Sequence, residues 1–216
     1  MLSSLSDASV SRVRAFAEKT TVGREESHGF AHLEQVEQLA LRIVAELPEA
    51  APHRAMIQIC ALLHDVPDHK YDRDGTLRAD VVAFLQGDGE LQRVAEHVMW
   101  VVDNVSYSRE NRQAGANLAV HAGDHVGLVR NVVSDADKIL ALGRVGVERC
   151  RQYAHECHAG ASEAALDAHV VAHAHEKLLR LLPEFIRTEP GKRLAQPEHD
   201  FIADHVAQLE ARLTPS

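Results

Sequence analysis

The segment Arg54–Asp65, RAMIQICALLHD, decides the fold. Met56, Ile57, Ile59, Cys60, Ala61, Leu62 and Leu63 leave it almost no polar face, and a helix apolar all round has to be buried by its neighbours. Pro67 disfavours helical geometry at the residue before it, so the helix must stop near Val66. Its buried end carries His64 beside Asp65. A polar pair placed there costs several kcal/mol, roughly, unless it is hydrogen-bonded or bound to a metal. One reading of the dipeptide is a His–Asp hydrogen bond that caps the helix. The other is a pair of metal ligands, and it requires more ligands elsewhere in the chain.

The segments on either side also read as helices. Apolar residues at helical spacing predict them over 9–19, 28–47, 77–85, 91–105, 125–142, 145–157, 162–182 and 193–213. Ser106–Gly123, with its polar run and two glycines, reads as a loop. There is no long period-2 alternation, no repeat and no linker rich in Pro, Gly or Ser. The expectation is one all-α domain over 1–216, with a core of about 28–150 and C-terminal helices 162–213 packing on it. A chain of 216 residues with 45% hydrophobic residues buries about 70% of its unfolded surface, enough for such a core without disulfides. The three cysteines are odd in number and form no CxxC pair, which fits a reducing compartment. No segment has the pattern of a signal peptide or of a membrane span, so a cytoplasmic location is expected.

Acidic residues outnumber basic ones, 32 to 23, for a net charge of −9. This argues against a nucleic-acid or anionic-membrane surface, which would be basic. It still allows a phosphate substrate held by a local cation. Histidine is abundant at 15 residues, and helical phase selects among them. His32 shares a stripe with Val36, Leu39 and Ile43 and therefore points inward. On the helix over 125–142, Asp135 shares a face with Leu128, Val132 and Ile139. Asp137 lies about 200° away, beside Ser134 and Lys138. Phase therefore selects Asp135 over Asp137. His32, His64, Asp65 and Asp135 make an N₂O₂ set suited to one divalent ion. Mn²⁺, with Fe²⁺, Co²⁺, Ni²⁺ and Mg²⁺ as alternatives, is favoured over a closed structural zinc. His28, one turn before His32, is placed to orient a water or meet a phosphate. HGFAH over 28–32 is no zinc-protease motif, because Gly29 cannot act as a base.

The ordered set His32…His64-Asp65…Asp135 resembles the H…HD…D signature of the HD-domain metal-dependent phosphohydrolases. The similarity to a bacterial-type subgroup runs through SHGFAHLEQV (27–36), ALLHDVPDHKY (61–71), DNVSYS (103–108), SDADKILALGRVGVER (134–149) and HEKLLRLLPEFIRTEPGKRLA (175–195). The resemblance implies an all-α HD-domain helical bundle whose signature residues converge on one divalent ion. It also implies hydrolysis of a phosphate ester or anhydride, with nucleoside triphosphate pyrophosphohydrolysis in some members. A monophosphatase, a phosphodiesterase and a non-enzymatic metal- and nucleotide-binding protein stand as alternatives. By the same resemblance Asp68 is a candidate for orienting or deprotonating the attacking water, alongside His28, and Lys70 for holding phosphate. Arg144 and Arg149 are candidates for reaching a leaving phosphate. The expected partners are a small phosphorylated substrate, a nucleotide first, and a second copy in a homodimer. The chain departs from the subgroup at Gly29, Gln35 and Pro67, where Asp, Arg and Gly are usual. It also lacks the paired histidines of dinuclear cyclic-dinucleotide phosphodiesterases and the Glu-Asp of guanosine tetraphosphate hydrolases.

Overall fold

Ser6 starts the first helix by accepting a hydrogen bond from the Ser9 N–H, and α1 then runs over Asp7–Thr20. A computed structural model describes residues 5–25, 28–68, 70–112, 125–158 and 160–214, and among them there is no strand. After α1 come α2 (Phe30–Ala45), a 3₁₀ stretch Pro48–His53, α3 (Arg54–Leu63) and α4 (Thr76–Gly87). A 3₁₀ turn Leu91–Arg93 leads to α5 (Ala95–Asn104), α6 (Tyr107–Arg112) and α7 (His125–Leu140). The chain closes with α8 (Gly143–Cys157), α9 (Glu163–His173), two π-helical stretches over 174–178 and 181–185, and α10 (Glu189–Leu213). No described helix is long and apolar enough to cross a membrane.

The described chain divides into two compact units, Met1–Ala136 and Asp137–Ser216, with the division inside α7. In the first unit α3 lies at the centre, packed by α1, α2 and α5. Ile57, Ile59, Cys60, Ala61, Leu62 and Leu63 are fully buried. Each large aliphatic side chain among them contributes about 1.5–3 kcal/mol by leaving water. Burial also pushes the Cys60 thiol well above its ordinary pKa, so it behaves as an inert core group. The buried Glu37 of α2 accepts from Arg14 of α1 and from Gln58 of α3 at 2.7 Å. That network joins the three helices at one point and fixes α2, which carries His32, against α3, which carries His64.

In the second unit α8, α9 and α10 pack on one another. Gly143 begins α8 with φ +67°, a left-handed backbone conformation that strains any residue with a Cβ. The predicted helix 162–182 gives way to π-helical turns after His173. Pro183 has no N–H for the Leu179 carbonyl, and His199 Nε2 donates to that carbonyl instead, at 3.2 Å. The last helix begins four residues before the expected start, because the Thr188 hydroxyl caps Gly191 N–H at 3.1 Å and Pro190 occupies the first turn.

Two further expectations are corrected in the first unit. The helix expected over 91–105 is split at Val94, where the Asp88 carboxylate accepts from the N–H groups of Glu90 and Leu91 and tightens the chain into a 3₁₀ turn. Part of the expected loop Ser106–Gly123 is helix α6, started by Ser106 Oγ accepting from Arg109 N–H at 3.3 Å. The remainder of that loop, 113–124, lies outside the described residues. What orders α6 is non-local: Glu110 is buried against Arg130 of α7 at 2.7 Å.

Glu90 ties the start of α1 to the turn before α5. Its carboxylate accepts from Ser6 N–H at 3.1 Å, from Ser6 Oγ at 2.6 Å and from Ser9 Oγ. These hydrogen bonds hold its pKa down at about 2. A carboxylate depressed in the folded state contributes stability that is full above its ordinary value near 4.5 and lost as pH falls through about 2. In acid titrations followed by circular dichroism, Glu90→Gln is expected to flatten the loss of stability between pH 4.5 and 2 while lowering stability at pH 7.

Candidate metal centre

α2, α3 and α7 each bring one metal-ligating side chain to the same place. His32, His64 and Asp137 present ligand atoms that all lie within 4.8 Å of one another. Trans ligands on a six-coordinate ion with bonds of 2.0–2.1 Å stand about 4.2 Å apart, so the spacing fits one ion after small adjustment. His32 lies in the first turn of α2, 5% exposed and in phase with the buried Val36, Leu39 and Ile43. Its ring centroid is 5.3 Å from that of His64.

His64 closes α3, and its Nδ1 lies 2.7 Å from the Ala61 carbonyl. A carbonyl only accepts, so Nδ1 carries the proton and the lone pair of the neutral ring is on Nε2. The Ala61 carbonyl, freed by the end of the helix, thus sets both the tautomer and the orientation of the ring. This backbone support is the kind that metal-ligating histidines require.

Asp65 starts the turn that follows. Its Oδ2 accepts from His28 Nδ1 at 2.6 Å, and Lys70 Nζ lies 3.2 Å from His28 Nε2. An ammonium only donates, so Nε2 accepts and the His28 proton sits on Nδ1, facing Asp65. Lys70, His28 and Asp65 therefore form a connected line with one consistent tautomer. An ionised carboxylate offers about four acceptor positions, so the bond from His28 leaves Asp65 with capacity for a metal. Asp68 Oδ1 accepts from the Lys70 N–H at 2.8 Å, and its carbonyl accepts from Tyr71 N–H at 2.9 Å. This Asx turn orients the Asp68 side chain.

Arg24 was not singled out by its sequence context. Its guanidinium donates to the carbonyls of Asp65 at 2.9 Å and Val66 at 2.7 Å, and lies 4.5 Å from the centroid of the Tyr71 ring. The Tyr71 ring in turn packs edge-on against His28, 5.9 Å between centroids. Arg24 thereby clamps the turn that carries His64 and Asp65. No local pattern announces it, because its partners are backbone carbonyls some forty positions away.

Asp135 is fully buried, and the acid whose ligand atom lies within 4.8 Å of those of the two histidines is Asp137. The reason lies in the burial of α7. Val132, Val133, Ser134, Asp135 and Ala136 are all buried, and Lys138 is only 2% exposed. Where a helix is buried on every side, the apolar stripe no longer marks the direction of a polar site. The half-buried Asp137 is the acid that faces the histidines. Arg144 and Arg149 lie on α8, in the second unit. Arg144 is exposed, with its guanidinium 5.3 Å from the Phe201 ring, and Arg149 is half-buried.

No family model matches the chain. Over 203 residues it is 26% identical to the protein YpgQ of Bacillus subtilis (strain 168), covering 92% of this chain and 91% of that one. The crystal structure of YpgQ in complex with ADP superposes with a TM-score of 0.63 at 23% identity, over 94% of each chain. A Lactobacillus plantarum protein gives 0.73 at 20% identity over 96% of this chain and 98% of its own. An HD-superfamily hydrolase from Bacillus thuringiensis gives 0.66 at 19% identity over 95% and 96%. At such identities the structural matches bear on architecture alone, and the architecture this chain shares with them is an all-helical fold that the HD-superfamily hydrolase also has.

Proposed function

We propose that the chain is a divalent-metal-dependent phosphohydrolase acting on a nucleotide or a similar small phosphate compound. The observation that carries this reading is the His32–His64–Asp137 group, with His64 held in the tautomer that turns a lone pair toward the site. The bound ADP of YpgQ supports a nucleotide as the substrate class. His32, His64 and Asp137 would hold the ion, with Asp65 as a fourth ligand. Two imidazoles and two carboxylates suit Mn²⁺, Fe²⁺, Co²⁺, Ni²⁺ or Mg²⁺. When bound, such an ion supplies Lewis-acid stabilisation of phosphate charge and lowers the pKa of a coordinated water.

The chain's own residues do the rest. His28 donates to Asp65 and keeps that carboxylate oriented. Lys70, 3.2 Å from His28, brings a positive charge that offsets substrate phosphate in an otherwise acidic protein. Asp68, with its carboxylate in an Asx turn, would accept the proton of the attacking water. The scissile step transfers a phosphoryl or nucleotidyl group to that water. A triphosphate split between its α- and β-phosphates yields a monophosphate and pyrophosphate.

The test is a panel of nucleoside mono-, di- and triphosphates assayed with Mn²⁺, Mg²⁺, Co²⁺ and Ni²⁺, with orthophosphate and pyrophosphate quantified separately. Turnover that depends on added metal and falls at least about 100-fold in His64→Ala is expected, since even the outer partners of metal ligands are worth 10–100-fold. Equal turnover by the wild type and this variant would remove the site from the reaction.

A further inference from the structure

A second group of imidazoles meets at the opposite ends of the helices that carry the metal-type group. His53 immediately precedes α3, His97 lies in the first turn of α5, and His125 starts α7. At 1.5 Å per residue, His53 is about 16 Å along the chain axis from His64, and His125 about 18 Å from Asp137. The two clusters are therefore separate. The rings of His53 and His125 have centroids 5.3 Å apart, and those of His97 and His125 are 5.6 Å apart. The same measure between His32 and His64 is 5.3 Å. Two imidazoles bound to one tetrahedral ion through bonds of 2.0–2.1 Å place their centroids roughly 5–5.5 Å apart. The ring centroids of the second cluster are thus close enough for the three imidazoles to reach one ion once the rings turn.

His97 Nδ1 is a buried atom with no hydrogen-bond partner. Such an orphan costs about 1–3 kcal/mol and calls for an occupant. Burial and the neighbouring His125 both lower the pKa of His53, and no carboxylate offsets them. Imidazole nitrogens are the ligands that a borderline metal prefers. Among the described residues, the His32–His64–Asp137 group is the one whose ligand atoms already lie within 4.8 Å of one another. His53 and His125 stack with planes 25° apart, so ligation by the second cluster entails rotating rings about their side-chain bonds. All three residues are half-buried, His53 at the end of the 3₁₀ stretch and His97 and His125 in the first turns of α5 and α7.

We infer that His53, His97 and His125 form a second metal site, selective for a borderline divalent cation such as Zn²⁺ and distinct from the proposed catalytic centre. An all-nitrogen set favours Zn²⁺, Cu²⁺ or Ni²⁺ over Mg²⁺ and Mn²⁺, which prefer oxygen. Occupancy would join the starts of α3, α5 and α7 and stabilise the first unit without touching His32, His64 or Asp137.

Crystals of the full chain soaked in Zn²⁺ with excess Mn²⁺ should show a zinc-edge anomalous peak bonded to all three imidazoles. In solution, Zn²⁺ at roughly 100-fold its dissociation constant should raise Tm by about 5–10 °C. That rise should disappear in both His53→Ala and His97→Gln, while their Mn²⁺-dependent turnover stays at the wild-type level and shows that they fold. A zinc peak absent from this cluster, or a Tm rise undiminished in both folded variants, overturns the inference. Because the readouts are zinc position and Tm, failure here leaves the proposed hydrolase activity standing. Failure of the nucleotide panel likewise leaves this site standing.

Discussion

Asp137→Ala is expected to abolish metal-dependent turnover, by at least about 100-fold, while leaving Tm within a few degrees of wild type. Asp137 is half-buried and sits with His32 and His64. Removing it takes a ligand from the ion without opening the core. Its neighbour behaves in the opposite way. Asp135 is fully buried, and Asp135→Asn leaves the buried shape intact but weakens the hydrogen bonding of a desolvated group, at about 1–3 kcal/mol. Its expected effect is a lower Tm with metal affinity retained. Isothermal titration with Mn²⁺, with thermal melts of the same samples, separates the two. Metal affinity lost in Asp135→Asn and kept in Asp137→Ala would reverse the ligand assignment.

The second large effect concerns Arg130 and Glu110, both 3% exposed and paired at 2.7 Å. Arg130 Nε also donates to the Asn104 carbonyl at 2.9 Å, which ties the end of α5 to α7. Arg130→Met leaves the Glu110 carboxylate buried without its cation, and breaking a buried pair from one side costs about 3–5 kcal/mol. In a chain of this size that lowers Tm by roughly 10 °C. The double variant Arg130→Met/Glu110→Leu removes both charges together and should recover most of the loss, because well-packed apolar replacements of buried ion pairs are often neutral. Melts of the two single variants and the double variant measure the coupling. Single variants that melt like the wild type would show that the pair does not hold α6.

Both effects show where the sequence was informative. The helix ending in His64-Asp65 declared itself through composition alone, since eight apolar residues out of ten can only be buried. His32 followed from phase, because α2 is amphipathic and its inward stripe is narrow. Asp135 and Asp137 could not be separated that way, since α7 is buried on every side near its end. α6 looked like loop because its order comes from a partner on α7, twenty residues further along. The π-helical turns after α9 trace to one proline and to a carbonyl taken up by His199. Arg24 acts on backbone carbonyls, which carry no residue-specific signature. Of the 15 histidines, the abundance itself indicated nothing. Position at helix ends, where side chains from different elements converge, separates His32 and His64 from the rest and draws His53, His97 and His125 together.

On the proposed reading, α2, α3 and α7 build one divalent-metal centre. It is tested most directly by anomalous scattering at the manganese edge from crystals of the wild-type chain grown with Mn²⁺ and a non-hydrolysable nucleoside triphosphate. One strong peak is expected, bonded to His32, His64 and Asp137, with Asp65 as a further ligand and a phosphate oxygen in the same coordination sphere. Mn²⁺ found elsewhere, or bound with Asp135 in place of Asp137, would contradict it.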